Sequence, residues 1–89
     1  MRSIAWVDGP IRVLLCDDHV VVREGLHKLL AEFGEVEVVG QALDGVTGVA
    51  AAHELRPDVV LMDLSMPVMD GVDATKWIVE HHPRSKVVV

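Results

Sequence analysis

Apolar residues follow two alternating patterns along the chain, short and nearly continuous runs and longer segments at helical spacing. The short runs lie at residues 11–16, 36–42, 58–62 and 86–89. Runs of this length are typical of strands that are buried on both faces of a parallel sheet. The helical segments between them cover residues 20–33, 46–55 and 71–82. The chain is therefore predicted to alternate strands with helices.

Glycine and aspartate residues mark several boundaries of these segments. Gly34 is expected to stop the first helix, because glycine is the preferred residue after a helix end. We interpret Asp44-Gly45 as a turn only, and Asp70 beside Gly71 as a turn or the N-cap of the third helix.

The alternation predicts an α/β fold, a doubly wound parallel sheet in which right-handed crossovers place helices on both faces. Ligands of such sheets bind beyond the carboxyl ends of the strands. Asp17 and Asp18 directly follow the first strand, and Asp63 directly follows the third. If these strands are neighbours, three carboxylates meet at one edge of the sheet.

Three adjacent carboxylates repel one another, and a hard divalent cation relieves that repulsion. Mg²⁺ prefers oxygen ligands and binds one or two carboxylates together with a phosphate oxygen. A carboxylate beside such an ion can attack phosphorus and form an aspartyl phosphate. The sequence contains no glycine-rich phosphate loop, so we expect the phosphoryl group to arrive on a donor molecule.

Composition narrows the class of protein. The chain has 89 residues, of which 51% are hydrophobic, which is enough for one small core. The net charge of −6 makes the segment a poor candidate for binding a nucleic-acid backbone. A single cysteine, Cys16, excludes an internal disulfide and favours a cytoplasmic setting. We expect residues 1–10 to be a flexible leader that is neither a signal peptide nor part of a membrane span.

Two stretches, "VLLCDDHVVVREGL" and "PDVVLMDLSMPVMDG", together resemble the receiver domain of bacterial two-component response regulators. The first is most similar to the NarL/FixJ branch, whose members usually carry a LuxR-type helix-turn-helix. The resemblance covers residues 11–89 and implies the flavodoxin-like receiver fold with strand order 2-1-3-4.

The resemblance also assigns the site residues. It implies that Asp63 accepts the phosphoryl group, that Asp18 binds Mg²⁺ directly and that Asp17 acts largely through metal-bound water. It gives the backbone carbonyl of Ser65 as a further Mg²⁺ ligand. The loop that holds Asp63 would be shaped by Met66, Pro67 and Gly71.

Several parts of the family domain have no counterpart up to Val89: a Ser or Thr and a Lys that contact the phosphoryl group, an aromatic switch residue, the fifth strand and two helices. We therefore expect a partial receiver domain, in which phosphorylation is slow or undetectable. The implied partners are a sensor histidine kinase and, only through an absent C-terminal domain, DNA. The edge "KVVV" at residues 86–89 has no charge after Lys86, which predicts self-association as a symmetric homodimer.

Two other classes of function compete with this interpretation. An aspartate-nucleophile hydrolase of the haloacid-dehalogenase type also uses Mg²⁺, but that family has an acid two positions after the nucleophile, where Ser65 stands here. The third class is a degenerate receiver that only binds a partner. We expect His19 to be a helix-entry residue that influences the acidic site, and Cys16 to be a core residue. His81 and His82 are expected near a helix C-terminus and not to form a metal site.

Overall fold

The computed structural model describes residues 9–66 and 69–89, which form a parallel sheet with helices packed against it. The strands are β1 (Ile11–Cys16), β2 (Val36–Ala42), β3 (Val59–Met62) and β4 (Lys86–Val88). The helices are α1 (Val20–Ala31), α2 (Gly45–Leu55) and α3 (Gly71–His81). The sheet order is β2-β1-β3-β4, with every pair parallel, and it confirms the predicted topology.

One face of the sheet carries the core. Leu14 of β1 and Val60 of β3 lie against Ala52 of α2 and against Ala74 and Ile78 of α3, and all five are fully buried. The two alanines let their helices approach the strands closely, so that the larger side chains fill the space between the layers. Cys16 belongs to this core, as expected, and burial raises the pKa of its thiol to about 12.

The opposite face of the sheet is covered less completely. Helix α1 packs there on β1 and β2, yet none of its residues is buried. Leu26 and Leu30 are half-buried, whereas Val21 is 81% exposed and Leu29 is 53% exposed. The apolar stripe of the first helix is therefore present in the sequence but largely faces outwards within the described part of the chain.

Helix boundaries differ from the predicted ones at two places. Helix α1 ends at Ala31 with Glu32 as its C-cap, so Gly34 lies in the following turn and does not stop the helix. Asp44 is more than a turn residue, because its side chain accepts a hydrogen bond of 2.7 Å from the Thr47 N–H and caps α2. The expectation failed because the short side chain of Asp44 finds the free N–H groups of the helix that begins beside it.

Asp70 is the N-cap of α3 and accepts a hydrogen bond of 2.9 Å from the Asp73 N–H. This is one of the two roles predicted for it. Trp77 and Met69 pack against the core. No helix among the described residues has the length and apolarity required to cross a bilayer. The expected leader falls mostly on residues 1–8, which lie outside the described residues.

Candidate metal and phosphorylation site

The register of the sheet brings the carboxylates together. Cys16 at the end of β1 pairs with Met62 at the end of β3. The next residues, Asp17 and Asp63, therefore leave the sheet side by side, and the Asp63 N–H donates a hydrogen bond of 2.9 Å to the Cys16 carbonyl. Asp18 follows in the same loop. Possible ligand atoms of Asp17, Asp18, His19 and Asp63 all lie within 4.8 Å of one another.

Short-range hydrogen bonds fix the two strand-terminal carboxylates. Oδ1 of Asp17 accepts the N–H of His19 at 2.8 Å, and Oδ1 of Asp63 accepts the N–H of Ser65 at 3.0 Å. The Arg23 guanidinium of α1 donates a hydrogen bond of 2.7 Å to the Asp17 carbonyl and ties the acidic loop to the helix. The role of Arg23 was not predicted from the sequence, because an arginine on an exposed helix usually carries no such contact.

The His19 imidazole lies among the carboxylates of the cluster. Its Nδ1 atom lies 2.8 Å from Asp17, 3.1 Å from Asp18 and 3.9 Å from Asp63. The hydrogen bond with Asp17 and the charge of Asp18 raise the pKa of His19. As expected from the sequence, His19 therefore lies close enough to the acidic site to interact with its carboxylates. Its position also shows where the carboxylates favour a cation.

The donor set suits a hard divalent ion. Three carboxylates provide oxygen atoms, which Mg²⁺ and Ca²⁺ prefer to nitrogen. The side chains of Asp17, Asp18 and Asp63 are 17%, 32% and 23% exposed, so the site is sheltered but open to water. An ion that keeps several of its waters, as Mg²⁺ does, fits such an edge.

The loop after Asp63 requires a glycine at its far end. A Cβ atom on Gly71 would collide with the carbonyl oxygen of Asp63 and the Cα atom of Leu64. The Gly71 N–H donates a hydrogen bond of 3.0 Å to the Leu64 carbonyl, which closes the loop against the start of α3. Met66 is 5% exposed and anchors the loop in the core. The predicted loop residue Pro67 lies outside the described residues.

An apolar groove adjoins the carboxylates on the α1 side of the sheet. Its volume is about 580 Å³. Leu26 of α1 forms one wall, Leu61 and Val88 form the sheet side, and Asp17 and Asp63 stand at its polar end. The groove therefore connects the acidic site with the less covered face of the sheet.

Residues 13–89 match the response regulator receiver domain family. The transcriptional regulatory protein LiaR of Bacillus subtilis (strain 168) is 52% identical over 79 residues, covering 89% of this chain and 37% of LiaR. The response regulator GacA of Pseudomonas viridiflava is 49% identical over 78 residues, covering 88% of this chain and 36% of GacA. The signal receiver domain of the response regulator NarL from Mycobacterium tuberculosis superposes with a TM-score of 0.84 at 35% identity, covering 89% of this chain and 64% of that one. The chain thus spans little more than a third of the length of these two curated relatives.

Proposed function

Because this chain belongs to the response regulator receiver domain family of two-component systems, we propose that its Asp63 carboxylate accepts a phosphoryl group from a sensor histidine kinase. One observation carries the proposal: Asp63 leaves β3 beside Asp17 and Asp18, so that three carboxylates converge at the carboxyl edge of the sheet. In the transfer, an Asp63 oxygen forms a bond to phosphorus while the bond from phosphorus to the donor breaks.

We propose that Asp17, Asp18, Asp63 and the backbone carbonyl of Ser65 hold Mg²⁺. When bound, the ion neutralises charge on the oxygens of the transferring phosphoryl group. The acidic residues position the ion, and the Ser65 N–H fixes one oxygen of Asp63 so that the other can react. His19 contacts the same carboxylates, and an ion would therefore compete with His19 for them.

The proposed module signals and does not turn over a substrate. The alternative, a haloacid-dehalogenase-type hydrolase, requires a second acid where Ser65 stands, and Ser65 contacts Asp63 by donating its N–H at 3.0 Å. The match of residues 13–89 to the receiver family supports the signalling role instead. The new charge of about −1.5 to −2 on Asp63 at pH 7 then provides the signal.

The remaining parts of the proposal concern the longer protein. LiaR is a transcriptional regulatory protein, and we propose that phosphorylation of this receiver controls a DNA-binding output domain in the cytoplasm. Within this chain, we propose residues 1–10 as a leader and 11–89 as a partial receiver domain.

We further infer that two copies of this chain form a homodimer across the edge of β4 and the adjoining groove. Val88 and Val89 are 52% and 72% exposed at this edge, beside the apolar wall of the groove. An exposed strand edge with β-branched side chains is a template for pairing with a second strand.

The phosphoryl-transfer proposal is tested by mass spectrometry after incubation of the chain with acetyl phosphate and Mg²⁺. We expect a single phosphoryl adduct in the wild-type chain, forming slowly, and none in Asp63→Asn. The matched control is Asp70→Asn, which changes a nearby carboxylate that caps α3 and should leave the adduct unchanged. Steady release of phosphate would favour the hydrolase, and an adduct that persists in Asp63→Asn would refute the assigned acceptor.

A further inference from the structure

Four aromatic rings form a cluster on the side of the sheet that carries the core. His53 comes from the last turn of α2, Trp77 and His81 from α3, and His82 is the C-cap of α3. Trp77 stacks on His81 with ring centroids 4.0 Å apart, and its centroid lies 5.9 Å from His53 and 5.6 Å from His82. Both helices end here, at the amino ends of β3 and β4, so the cluster lies at the opposite edge of the sheet from Asp63.

Two of these imidazoles face each other at short range. Nδ1 of His53 and Nε2 of His82 are 3.0 Å apart, although 29 residues separate them in the chain. One ring must donate a proton to this contact and the other must accept it, so at least one ring is neutral. Burial, followed by the charge of Arg56, lowers the pKa of His82, which favours the neutral form. Neutral imidazole is the form that binds metals.

The separation of the two nitrogen atoms matches that of two ligands on one metal ion. Nitrogens bound at about 2.0–2.1 Å are about 2.9 Å apart at a right angle and about 3.3 Å apart at a tetrahedral angle. The observed 3.0 Å is closer to the right angle, which is the geometry of tetragonal Cu²⁺ and Ni²⁺ sites. Because His53 is exposed, its ring has room to turn so that both lone pairs point to one ion.

The two imidazole ligands favour a borderline ion over a hard one. Arg56, Asp58 and Arg84 line the adjoining cavity of about 440 Å³ together with His81 and His82. A hard ion such as Mg²⁺ prefers oxygen ligands and binds imidazole poorly. An ion of borderline softness gains its affinity from the nitrogen ligands themselves. This affinity is higher for Cu²⁺ than for Ni²⁺. Nδ1 of His81 donates a hydrogen bond of 2.8 Å to the carbonyl of its own helix residue Trp77, on whose ring it stacks. The short contact between ring nitrogens joins His53 and His82, and these two are therefore the proposed ligand pair.

We propose that His53 and His82 form a two-imidazole site for a borderline transition-metal ion, Cu²⁺ or Ni²⁺, with water in the remaining positions. The bound ion would replace the direct contact between His53 and His82 as the link between the end of α2 and the end of α3. The site is separate from the carboxylates of the proposed phosphorylation site and uses a different class of metal.

Isothermal titration with Ni²⁺ tests the ligand pair in the presence of excess Mg²⁺. Loss of even an outer partner of a metal ligand costs roughly 10–100-fold in affinity. We therefore expect His53→Gln and His82→Gln each to weaken Ni²⁺ binding on the order of tenfold or more. The control is His27→Gln on α1, an exposed histidine outside the cluster, which should leave the affinity unchanged. Unchanged affinity in the double variant His53→Gln/His82→Gln would overturn the proposal.

A second measurement locates the ion in the wild-type chain and does not depend on how the variants fold. Substoichiometric Cu²⁺ broadens the NMR signals of nuclei near it. We expect the signals of His53, His82 and the Trp77 indole to broaden first. Broadening that begins at His19 and Asp63 while the cluster stays sharp would place the ion at the acidic edge and refute the two-imidazole site.

Discussion

The two faces of the sheet differ in how well their helices cover them. On one face, Ala52, Ala74 and Ile78 of α2 and α3 are completely buried against β1 and β3. On the other, α1 contributes no buried residue, and an apolar groove remains open beside the carboxylates. Both faces are apolar in sequence. The comparison shows that apolar spacing predicts which residues can be buried, whereas the number of elements packed against a face decides how many of them are.

The largest effect is expected from truncating one residue on the well-packed face. Ile78→Ala should lower the free energy of unfolding by about 2–5 kcal/mol, because it leaves a cavity in a fully buried position. The matched variant on the other face is Leu29→Ala, at a position that is 53% exposed. We expect it to change the free energy of unfolding by no more than about 0.5 kcal/mol. Urea denaturation measures both, and equal costs would contradict the difference between the faces.

Two glycines sharpen the same contrast. Gly71→Ala should destabilise the fold by about 1–3 kcal/mol, because the added Cβ atom collides with the backbone of Asp63 and Leu64. Gly25→Ala in α1 meets no atom within 4 Å and should stabilise the helix by about 0.5–1 kcal/mol. Thermal unfolding of both variants gives the two signs, and a neutral Gly71→Ala would show that the loop holding Asp63 adapts.

The proposed homodimer concerns the less covered face. Val88→Lys places a charge on the edge of β4 and should weaken self-association roughly tenfold, since an edge lysine discourages strand pairing. Val79→Lys on α3 is the matched control, because Val79 and Val88 are both 52% exposed. Sedimentation equilibrium of the wild-type chain and both variants measures the effect. A wild-type chain that stays monomeric at high micromolar concentration excludes the dimer.

The smallest effect is expected at the start of α2. Hydrogen bonds from Thr47 lower the pKa of Asp44, so the capping carboxylate is more acidic in the folded chain than in the unfolded one. A group with a lowered pKa contributes stability above its unfolded pKa and loses it as pH falls through the folded value. Stability measured from pH 6 down to pH 3 should therefore decline less steeply in Asp44→Asn, which keeps a capping oxygen without the charge. An identical pH dependence in the wild-type chain and in Asp44→Asn would show that Asp44 does not contribute to it.

Much of the acidic site follows from the sequence alone. The apolar runs end at Cys16 and Met62, and the rule that parallel strands end at a common edge places the next residues, Asp17 and Asp63, side by side. The cap at Asp70 is equally local, because a short acceptor before a helix finds the free N–H groups next to it. Asp44 carries the same local signal, with Thr47 three residues later. The prediction of a turn alone at Asp44 was therefore too narrow.

Contacts between segments distant in sequence required the tertiary structure. The position of His19 among three carboxylates depends on how α1 leaves the edge of the sheet, and the need for Gly71 arises from the close return of the chain to Asp63. The 3.0 Å approach of His53 to His82 exists only because α2 and α3 pack side by side and end together. Local pattern determines what a segment becomes, since spacing and capping act over a few residues. Packing between segments determines which side chains meet, because that depends on the positions of whole helices on the sheet.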